Sequence, residues 1–239
     1  MPERPERTEP RPIEGAHDRV TEPPRRAVLA AGIGAAVGLA GCSGGGDEER
    51  SLESHPAATN LSDQPTLGPD PLDADATVIA FEDPSCTRCR AFEQETVPKI
   101  ESELTDPGRG AFVFRGYPVV YDWGEPATKA LEAVFDRNVD AFWALKDHYY
   151  AAQGSFGDGN VLARTESFLA DETTLDAPAV IEDVEDGAYD AAVQADLDAA
   201  RDADLGRTTP TVLLFKDGTY RTRAQGSVSF SLIESTLDL

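Results

Sequence analysis

The chain has 239 residues, enough for one ordinary domain or two small ones. Asp and Glu total 44 against 21 Lys and Arg, and the net charge of −23 repels phosphate backbones, which excludes nucleic-acid binding as the main activity. With 40 % hydrophobic residues, the chain can still form a core. Only 4 of the basic residues are Lys, and an acidic surface poor in Lys favours a halophilic source, because high salt screens the self-repulsion; a merely acidic domain is the alternative.

The N-terminal part of the chain is typical of an export signal rather than of a folded domain. Residues 1–24 are rich in Pro, Glu and Arg, lack apolar periodicity and are predicted to be disordered. Arg25 and Arg26 then precede an uncharged run over 27–41. That run is shorter than the about 20 apolar residues of a bilayer-spanning helix, but it suits a signal peptide. The paired arginines resemble a twin-arginine signal, which exports folded proteins.

The signal ends in Leu-Ala-Gly-Cys over 39–42, which resembles the lipobox of exported lipoproteins. In that motif Cys42 carries the lipid and becomes the new N-terminus, so the protein would be anchored to the outer face of the cytoplasmic membrane. An ordinary signal anchor that happens to contain a cysteine is the alternative. Residues 42–73 have no apolar face and predict a flexible acidic tether, which leaves a folded domain over 74–239.

The folded domain is predicted to begin with a strand, a helix and a second strand. Residues 76–81 form a short apolar run with β-branched residues, and 111–117 form another extended run. Between them, Ser85 is a candidate N-cap for a helix over 86–104, in which Pro98 predicts a kink. So short a connection predicts a parallel, right-handed crossover.

The rest of the domain changes from a helical to an extended pattern. Residues 125–205 carry apolar stripes at helical spacing, and proline in the opening Glu-Pro pair suits the first turn of a helix. Residues 211–215 and 219–224 then predict a hairpin around an Asp-Gly turn, followed by a short final helix. The order of elements predicts an α/β domain with a helical insertion, about 125–205, between an N-terminal βαβ part and a C-terminal ββα part.

Cys86 and Cys89 begin the first predicted helix and form the candidate catalytic pair. Positions three apart lie on the same side of a helix, about 5–6 Å from each other, which is close enough for a disulfide. Unpaired N–H groups and the positive end of the helix dipole stabilise a thiolate at Cys86, and Arg88 adds positive charge nearby. Because a stabilised thiolate favours the reduced form, the disulfide is predicted to be oxidising, with Cys89, one turn deeper, as the resolving thiol.

Three other interpretations of the pair are open at this point. A structural zinc site needs four Cys or His ligands, and His148 is the only histidine in the predicted domain. A permanent structural disulfide would close a loop too small to stabilise the fold much. The third interpretation is a pair of buried thiols unrelated to function. We expect no metal and no cofactor.

The residues around the pair carry a resemblance. Phe-Glu-Asp-Pro-Ser-Cys-Thr-Arg-Cys over 81–89, Phe-Arg-Gly-Tyr-Pro over 114–118 and the Thr-Pro-Thr segment within 205–211 resemble DsbA-like thiol–disulfide oxidoreductases of the thioredoxin superfamily. The likeness covers roughly 76–237 and implies a thioredoxin-like α/β fold with a helical insertion. Compared with a lone Cys-x-x-Cys, the combination with a late Thr-Pro-Thr segment is a specific signal.

The resemblance also implies roles for individual residues. Cys86 would be the nucleophile and Cys89 the resolving thiol of a redox disulfide between the two. Pro210 would follow a cis peptide bond beside that disulfide, with backbone groups of Thr209 available to pair with a substrate strand. An ordinary proline at the entry of a strand is the alternative.

The chain departs from the family pattern in two ways. Many thioredoxins carry a buried acid six residues before the first cysteine, where this chain has Ala80. Glu82 lies on the same side of the strand; it either replaces that acid, and so tunes the pair, or is a solvated charge. Strongly oxidising relatives commonly have a histidine between the two cysteines, and this chain has none. The positive charge of Arg88 compensates in part for the missing histidine. The direction of electron flow is therefore open.

The patterns together predict an exported, membrane-anchored thiol–disulfide oxidoreductase. Its partners would be exported client proteins with thiols or disulfides, and a membrane redox partner that recharges the pair. A reductase or isomerase of the same fold is the first alternative. The second alternative is a redox-inactive binding module tethered to the cell surface.

Overall fold

Five strands and eight α-helices make up residues 51–239, the part of the chain that the structure, a computed structural model, describes. The strands are β1 (Thr66–Leu67), β2 (Ala76–Glu82), β3 (Gly110–Gly116), β4 (Thr211–Lys216) and β5 (Thr219–Gln225). The helices are α1 (Thr87–Glu95), α2 (Val97–Ile100), α3 (Gly124–Phe135), α4 (Val139–Ala151), α5 (Val161–Glu172), α6 (Ala177–Glu185), α7 (Asp190–Asp202) and α8 (Phe230–Leu237). Short 3₁₀ turns lie at Pro56–Ala58, Leu61–Asp63 and Gln153–Ser155.

The five strands form one mixed sheet in the order β1-β3-β2-β4-β5. β2 and β3 are parallel neighbours, with Ala80 opposite Phe114, and the other neighbouring pairs are antiparallel. Every residue of β2 and β3 is buried, as expected for central strands covered on both faces. The parallel connection from β2 through α1 to β3 that the sequence predicts is confirmed.

Alternation along β2 divides the core between the two faces of the sheet. Val78 and Ala80 belong to a large apolar cluster with α1, α8 and most of the helical insertion. Ile79 and Phe81 belong to a smaller cluster that includes part of α7. Because successive side chains of a strand point to opposite faces, Glu82 at the end of β2 faces the same side as Ala80.

The helical insertion comprises α3 to α7 and separates β3 from β4 in the chain. α3 contributes Ala127, Ala130, Leu131 and Val134 to the large cluster, which places it against the sheet. α4 follows α3 along the chain and contacts α1, the helix that begins at the cysteines. The predicted α/β class with a helical insertion is therefore confirmed.

The helix predicted over 86–104 is divided into two pieces. α1 is followed by Thr96, whose hydroxyl donates to the Val228 carbonyl at 2.8 Å. Pro98 lies in the first turn of α2, where its missing N–H costs no helical hydrogen bond. One π-helical turn, Glu101–Thr105, completes the segment. The predicted kink is present, and it lies at Thr96, just before the proline.

The segment before β2 is not the flexible tether that its composition predicts. Leu52 and Leu61 are buried in the smaller cluster, and Ser51 forms an antiparallel bridge with Thr219. β1 adds to the edge of the sheet beside β3. The prediction is therefore wrong for residues 51–73, because apolar side chains without a regular period still fill gaps at the sheet face.

The predicted signal peptide, the lipidation site Cys42 and residues 43–50 lie outside the described residues. None of the helices within 51–239 has both the length and the apolar character needed to cross a membrane.

Candidate active site

The two cysteines lie at the start of α1, directly after the end of β2. Cys86 is the N-cap residue and is 3 % exposed, whereas Cys89, one turn into the helix, is fully buried. Both are free thiols in the structure. Cys89 is the less exposed of the two, as predicted: Cys86 lies at the N-terminal end of the helix and Cys89 lies one turn further into the protein.

The loop before β4 brings Thr209 and Pro210 next to Cys86. The peptide bond between Thr209 and Pro210 is cis, as predicted. In its protonated form the Cys86 thiol donates to the Thr209 carbonyl oxygen at 3.4 Å. The Thr209 hydroxyl is buried without a hydrogen-bond partner among the described residues, so it is free to donate to a thiolate at Cys86. Pairing of the Thr209 backbone with a substrate strand stays a prediction.

The surroundings of Cys86 favour its ionised form. The pKa of Cys86 is lowered from 9.0 to about 5, mainly by a hydrogen bond from the Cys89 thiol. Burial by itself would raise this pKa. The Thr209 side chain and the backbone N–H groups of Cys89 and Arg88 lower it further. These backbone donors are available because the first N–H groups of a helix lack partners within the helix. Cys86 is therefore mainly a thiolate at neutral pH.

Arg88 acts on Cys86 through its backbone N–H group. Its N–H group lowers the pKa of Cys86, but its side chain is exposed and extends toward Gly226, where a Cβ would lie 3.5 Å from Nη1. Water screens an exposed guanidinium strongly. That the charge of Arg88 also tunes the pair stays a prediction.

Substitution Arg88→Gln is expected to change the pKa of Cys86 by about 0.3 or less, because it keeps the backbone donor and removes only a screened charge. The matched substitution Thr209→Val removes a buried donor and should raise that pKa by about 1. Ultraviolet absorbance of the thiolate as a function of pH measures both. A larger change for Arg88→Gln than for Thr209→Val contradicts this account.

Cys89 has the opposite environment. Burial raises the pKa of Cys89 well above 9.0, and the hydrogen bond to Cys86 and the negative charge of Glu82 raise it further. The backbone N–H of Asp83 donates to its sulfur at 3.5 Å. A thiol in this environment stays protonated at neutral pH, so it must lose a proton before it can attack a disulfide.

A buried group of charges, formed by Glu82, Glu93 and Lys146, lies close to Cys89. The Lys146 ammonium is paired with the Glu93 carboxylate, and both side chains are almost completely buried. The Glu82 carboxyl is fully buried and makes no hydrogen bond of ordinary geometry to the described residues. Burial, followed by the charge of Glu93, raises the pKa of Glu82 well above its ordinary value, although Lys146 opposes this. Of the two interpretations of Glu82, the structure favours the buried acid over the solvated charge.

Two site residues on α4 are absent from the sequence-based predictions. Tyr150 is 1 % exposed and forms a small buried cluster with Cys86 and Cys89. Lys146 lies one helical turn before it. Together with Phe142, these residues repeat every fourth position, the spacing of one helix face. The pattern thus indicates a shared face, but it does not show that this face meets the cysteines.

Asp83 is a further site residue that the sequence analysis missed. One of its carboxyl oxygens accepts from the N–H and the hydroxyl of Ser85 at 2.7 and 2.5 Å. The other accepts from the N–H groups of Val119 and Val120 at 2.8 and 2.7 Å. Ser85 is therefore not the predicted N-cap of α1, and Cys86 takes that position. The spacing of Asp83 and Ser85 is the signal that could have been used, since Asp commonly binds the N–H two residues later.

The zinc interpretation requires further ligands near the cysteines. Within residues 51–239, no group of three or more His, Cys, Asp or Glu side chains is placed to hold a metal ion. The side chains of Thr209 and Tyr150 are neighbours of the two sulfurs.

The fold and the site together define a thioredoxin-like domain with a helical insertion, in which a dithiol at a helix start faces a cis-proline loop. The chain belongs to the thioredoxin family, which it matches over residues 64–230.

Curated relatives are named for disulfide bond formation. Disulfide bond formation protein D of Bacillus subtilis (strain 168) is 27% identical over 154 residues, which are 64% of this chain and 68% of that protein. Probable disulfide bond formation protein D of Bacillus anthracis is 30% identical over 92 residues, 38% of this chain and 42% of the relative. The chain thus matches about two fifths of the length of the latter.

Solved structures show the same fold. The oxidised form of BdbD from Bacillus subtilis superimposes with a TM-score of 0.61 at 22% identity, covering 75% of this chain and 93% of that one. Wolbachia pipientis alpha-DsbA1 superimposes with a TM-score of 0.62 at 16% identity, covering 73% and 89% of the two chains. The thioredoxin-like fold predicted from the sequence is therefore confirmed.

Proposed function

We propose that this protein is a thiol–disulfide oxidoreductase that exchanges disulfides with client proteins through Cys86 and Cys89. One observation carries the proposal: a thiol with its pKa lowered to about 5 lies at a helix start, against the Thr209–Pro210 cis peptide. An unreactive buried thiol would show a raised pKa instead. The relatives named for disulfide bond formation support the same class of activity.

The proposed exchange has two steps. A client thiolate attacks the Cys86 sulfur of the Cys86–Cys89 disulfide; the S–S bond breaks, its electron pair stays on Cys89, and a mixed disulfide forms. A second client thiolate then attacks the client sulfur of that mixed disulfide and releases Cys86 as a thiolate. The client loses two electrons and the cysteine pair gains them. A leaving thiol of low pKa departs fast, so the environment of Cys86 accelerates the second step.

We assign the oxidising direction to the reaction. An environment that stabilises the Cys86 thiolate stabilises the reduced pair, which makes the disulfide a stronger oxidant. A reduction potential near about −120 mV is expected for an oxidase, whereas a value near about −270 mV would support a reductase. The measurement belongs in high salt, the condition that the acidic composition favours.

The proposed place of action is outside the cytoplasm. The paired Arg25 and Arg26, the apolar run after them and the small residues before Cys42 support export as a lipoprotein held at the outer face of the cytoplasmic membrane. Disulfides persist in such a compartment. An oxidase there needs a membrane partner that accepts electrons from the reduced pair, and exported proteins with thiols are its clients.

Substitution Cys89→Ser is expected to trap adducts between this protein and its clients. Without Cys89 the protein has no disulfide of its own, so an adduct forms when the Cys86 thiolate attacks a client disulfide. Cys89 is then not present to attack the mixed disulfide and release the client, so the adduct persists unless another thiol resolves it. Non-reducing electrophoresis of the exported fraction, followed by mass spectrometry of the linked peptides, detects such adducts.

The matched control is Cys86→Ser, which keeps Cys89 but removes the sulfur that would be joined to the client. Adducts through Cys86 in the first variant and none in the second support the exchange role. If Cys89→Ser forms no adduct with any exported protein, and the wild-type disulfide does not react with dithiothreitol, the activity is wrong and the binding-module alternative gains support.

A further inference from the structure

The hydroxyl of Tyr150 is a buried polar group that takes no part in the proposed exchange steps. Tyr150 is 1 % exposed, and its hydroxyl interacts with the Glu82 carboxyl without reaching a hydrogen bond of ordinary geometry to any described residue. Burying an unsatisfied hydroxyl destabilises a protein, and phenylalanine would fill nearly the same space without that penalty. An unsatisfied hydroxyl beside a redox pair therefore indicates a role in the chemistry.

Tyr150 is a neighbour of both the resolving thiol and the buried acid. Its ring belongs to the cluster with Cys86 and Cys89. Burial raises the pKa of Tyr150 well above 10.0, and the negative charges of Glu82 and Cys89 are the next causes, which places both groups close to it. A hydroxyl so held stays protonated at physiological pH, and it can donate to one neighbour while it accepts from another.

The other polar groups near Cys89 are already engaged. Both carboxyl oxygens of Asp83 accept two hydrogen bonds each from Ser85 and the loop over 119–120. Glu93 is paired with Lys146. Glu82 alone keeps both carboxyl oxygens unsatisfied. The Lys146 ammonium pairs with Glu93 and also with the exposed Asp147 carboxylate at 3.1 Å. Glu82 is thus the buried carboxyl without an ion pair of its own, and its proton is the one that can leave or enter.

We propose that the Tyr150 hydroxyl relays the proton between the Cys89 thiol and the Glu82 carboxyl during disulfide exchange. The inference rests on the proposed function, because it concerns the proton of the same reaction. When Cys89 leaves as a thiolate, it takes the Tyr150 proton while Tyr150 takes the proton of Glu82. In the reverse reaction Cys89 gives its proton to Tyr150 and Tyr150 gives its own to the Glu82 carboxylate. No proton or electron is gained or lost by Tyr150 overall.

The substitution Tyr150→Phe tests the relay, because it removes only the hydroxyl. The reduced protein is mixed with dithiobis(nitrobenzoate), an aromatic disulfide that releases a coloured thiolate. The first release reports attack by Cys86, and the second reports attack by Cys89 on the mixed disulfide. Tyr150→Phe is expected to slow the second release at least about tenfold at neutral pH and to leave the first within about twofold.

Tyr149→Phe is the matched control. Tyr149 is equally buried and adjacent in sequence, but its hydroxyl bonds to the Thr165 hydroxyl at 2.6 Å, away from the sulfurs. The Tyr149→Phe variant should show rates of both releases within about twofold of the wild type. The pH profile of the second release is the decisive readout. If the relay operates, the rate of the second release follows the titration of Glu82. If it does not, that rate should rise steadily with increasing pH.

Each outcome is informative. A slower second release in Tyr150→Phe alone, with a changed pH profile and an unchanged first release, supports the relay. An unchanged second release at every pH overturns it, and leaves the exchange activity itself untouched. No release of either kind from wild type would instead refute the proposed function. Thermal unfolding of both variants identifies any loss of fold.

Discussion

Substitution Asp196→Ala is expected to lower the free energy of unfolding by about 3–5 kcal/mol, the largest effect on stability that we predict. Asp196 on α7 accepts from Arg115 Nε at 2.9 Å and Nη2 at 2.7 Å, and also from the Gly116 N–H at 2.7 Å. Both charged side chains are essentially inaccessible to water. Removal of the carboxylate takes away the ion-pair partner of the buried Arg115, which costs far more than the loss of an exposed pair. Glu132, another acid near Arg115, is mostly uncharged at neutral pH, because burial and the charge of Asp196 raise its pKa to about 8. Urea unfolding at constant salt measures the change.

The control for this prediction is Asp198→Ala on the same helix, whose carboxylate pairs with the exposed Arg201. That substitution should not change stability measurably, since exposed pairs contribute little. Arg115 also donates to the Ala57 and Thr59 carbonyls at 2.8 Å, so Asp196→Ala should in addition expose the segment before β1 to proteases. A destabilisation as small as that of Asp198→Ala would contradict the account.

Alkylation of Cys86 by iodoacetamide is expected to reach half its maximal rate near pH 5 and to be flat above that, because the pKa of Cys86 is lowered to about 5. An ordinary thiol with a pKa of 9.0 instead gains about tenfold in rate per pH unit until it ionises. Mass spectrometry of the alkylated peptide gives the profile. The same protein unfolded in urea is the control, and its midpoint should return toward the ordinary value. A folded midpoint close to the unfolded one would contradict the proposed thiolate.

The same thiolate makes the stability of the reduced protein depend on pH. Since the pKa of Cys86 is lower in the folded chain, its contribution is complete above the unfolded value near 9.0, declines as pH falls, and is lost at about pH 5. Between pH 5 and pH 7 the reduced protein should gain about 2 kcal/mol over Cys86→Ser, after discounting for solvent screening. Urea unfolding of both reduced proteins at the two pH values measures this difference. The carboxylates contribute equally to both proteins, so their effect on the free energy of unfolding cancels in the comparison.

The order of the elements and the placement of the cysteine pair could be predicted because they depend on local patterns. The apolar run over 76–81 and the Asp-Pro break after it fix β2 and the start of α1. The cis bond beside Cys86 is implied by the resemblance of the Thr-Pro-Thr segment to that of DsbA-like proteins, and the structure contains it. For Glu82 the period of a strand gives the correct face, but burial depends on α4, which the pattern of β2 does not contain.

The groups that surround the sulfurs from other elements could not be predicted in the same way. Lys146 and Tyr150 are 60 or more positions from Cys86 along the chain, and only the docking of α4 against α1 brings them to the site. The segment before β2 fails for a related reason. Leu52 and Leu61 have no periodic neighbours, and the surface that they cover is assembled from β4, β2 and α7.

If Cys42 carries the proposed lipid, the ordered segment ahead of β1 limits how far the domain can move from the membrane. With Cys42 lipidated, as proposed, only residues 43–50 separate the lipid from Ser51, which is already paired with Thr219 at the edge of the sheet. A fully extended chain of that length spans about 30 Å. In that case the domain would act close to the membrane surface, and the proposed clients and electron acceptor would have to reach Cys86 there.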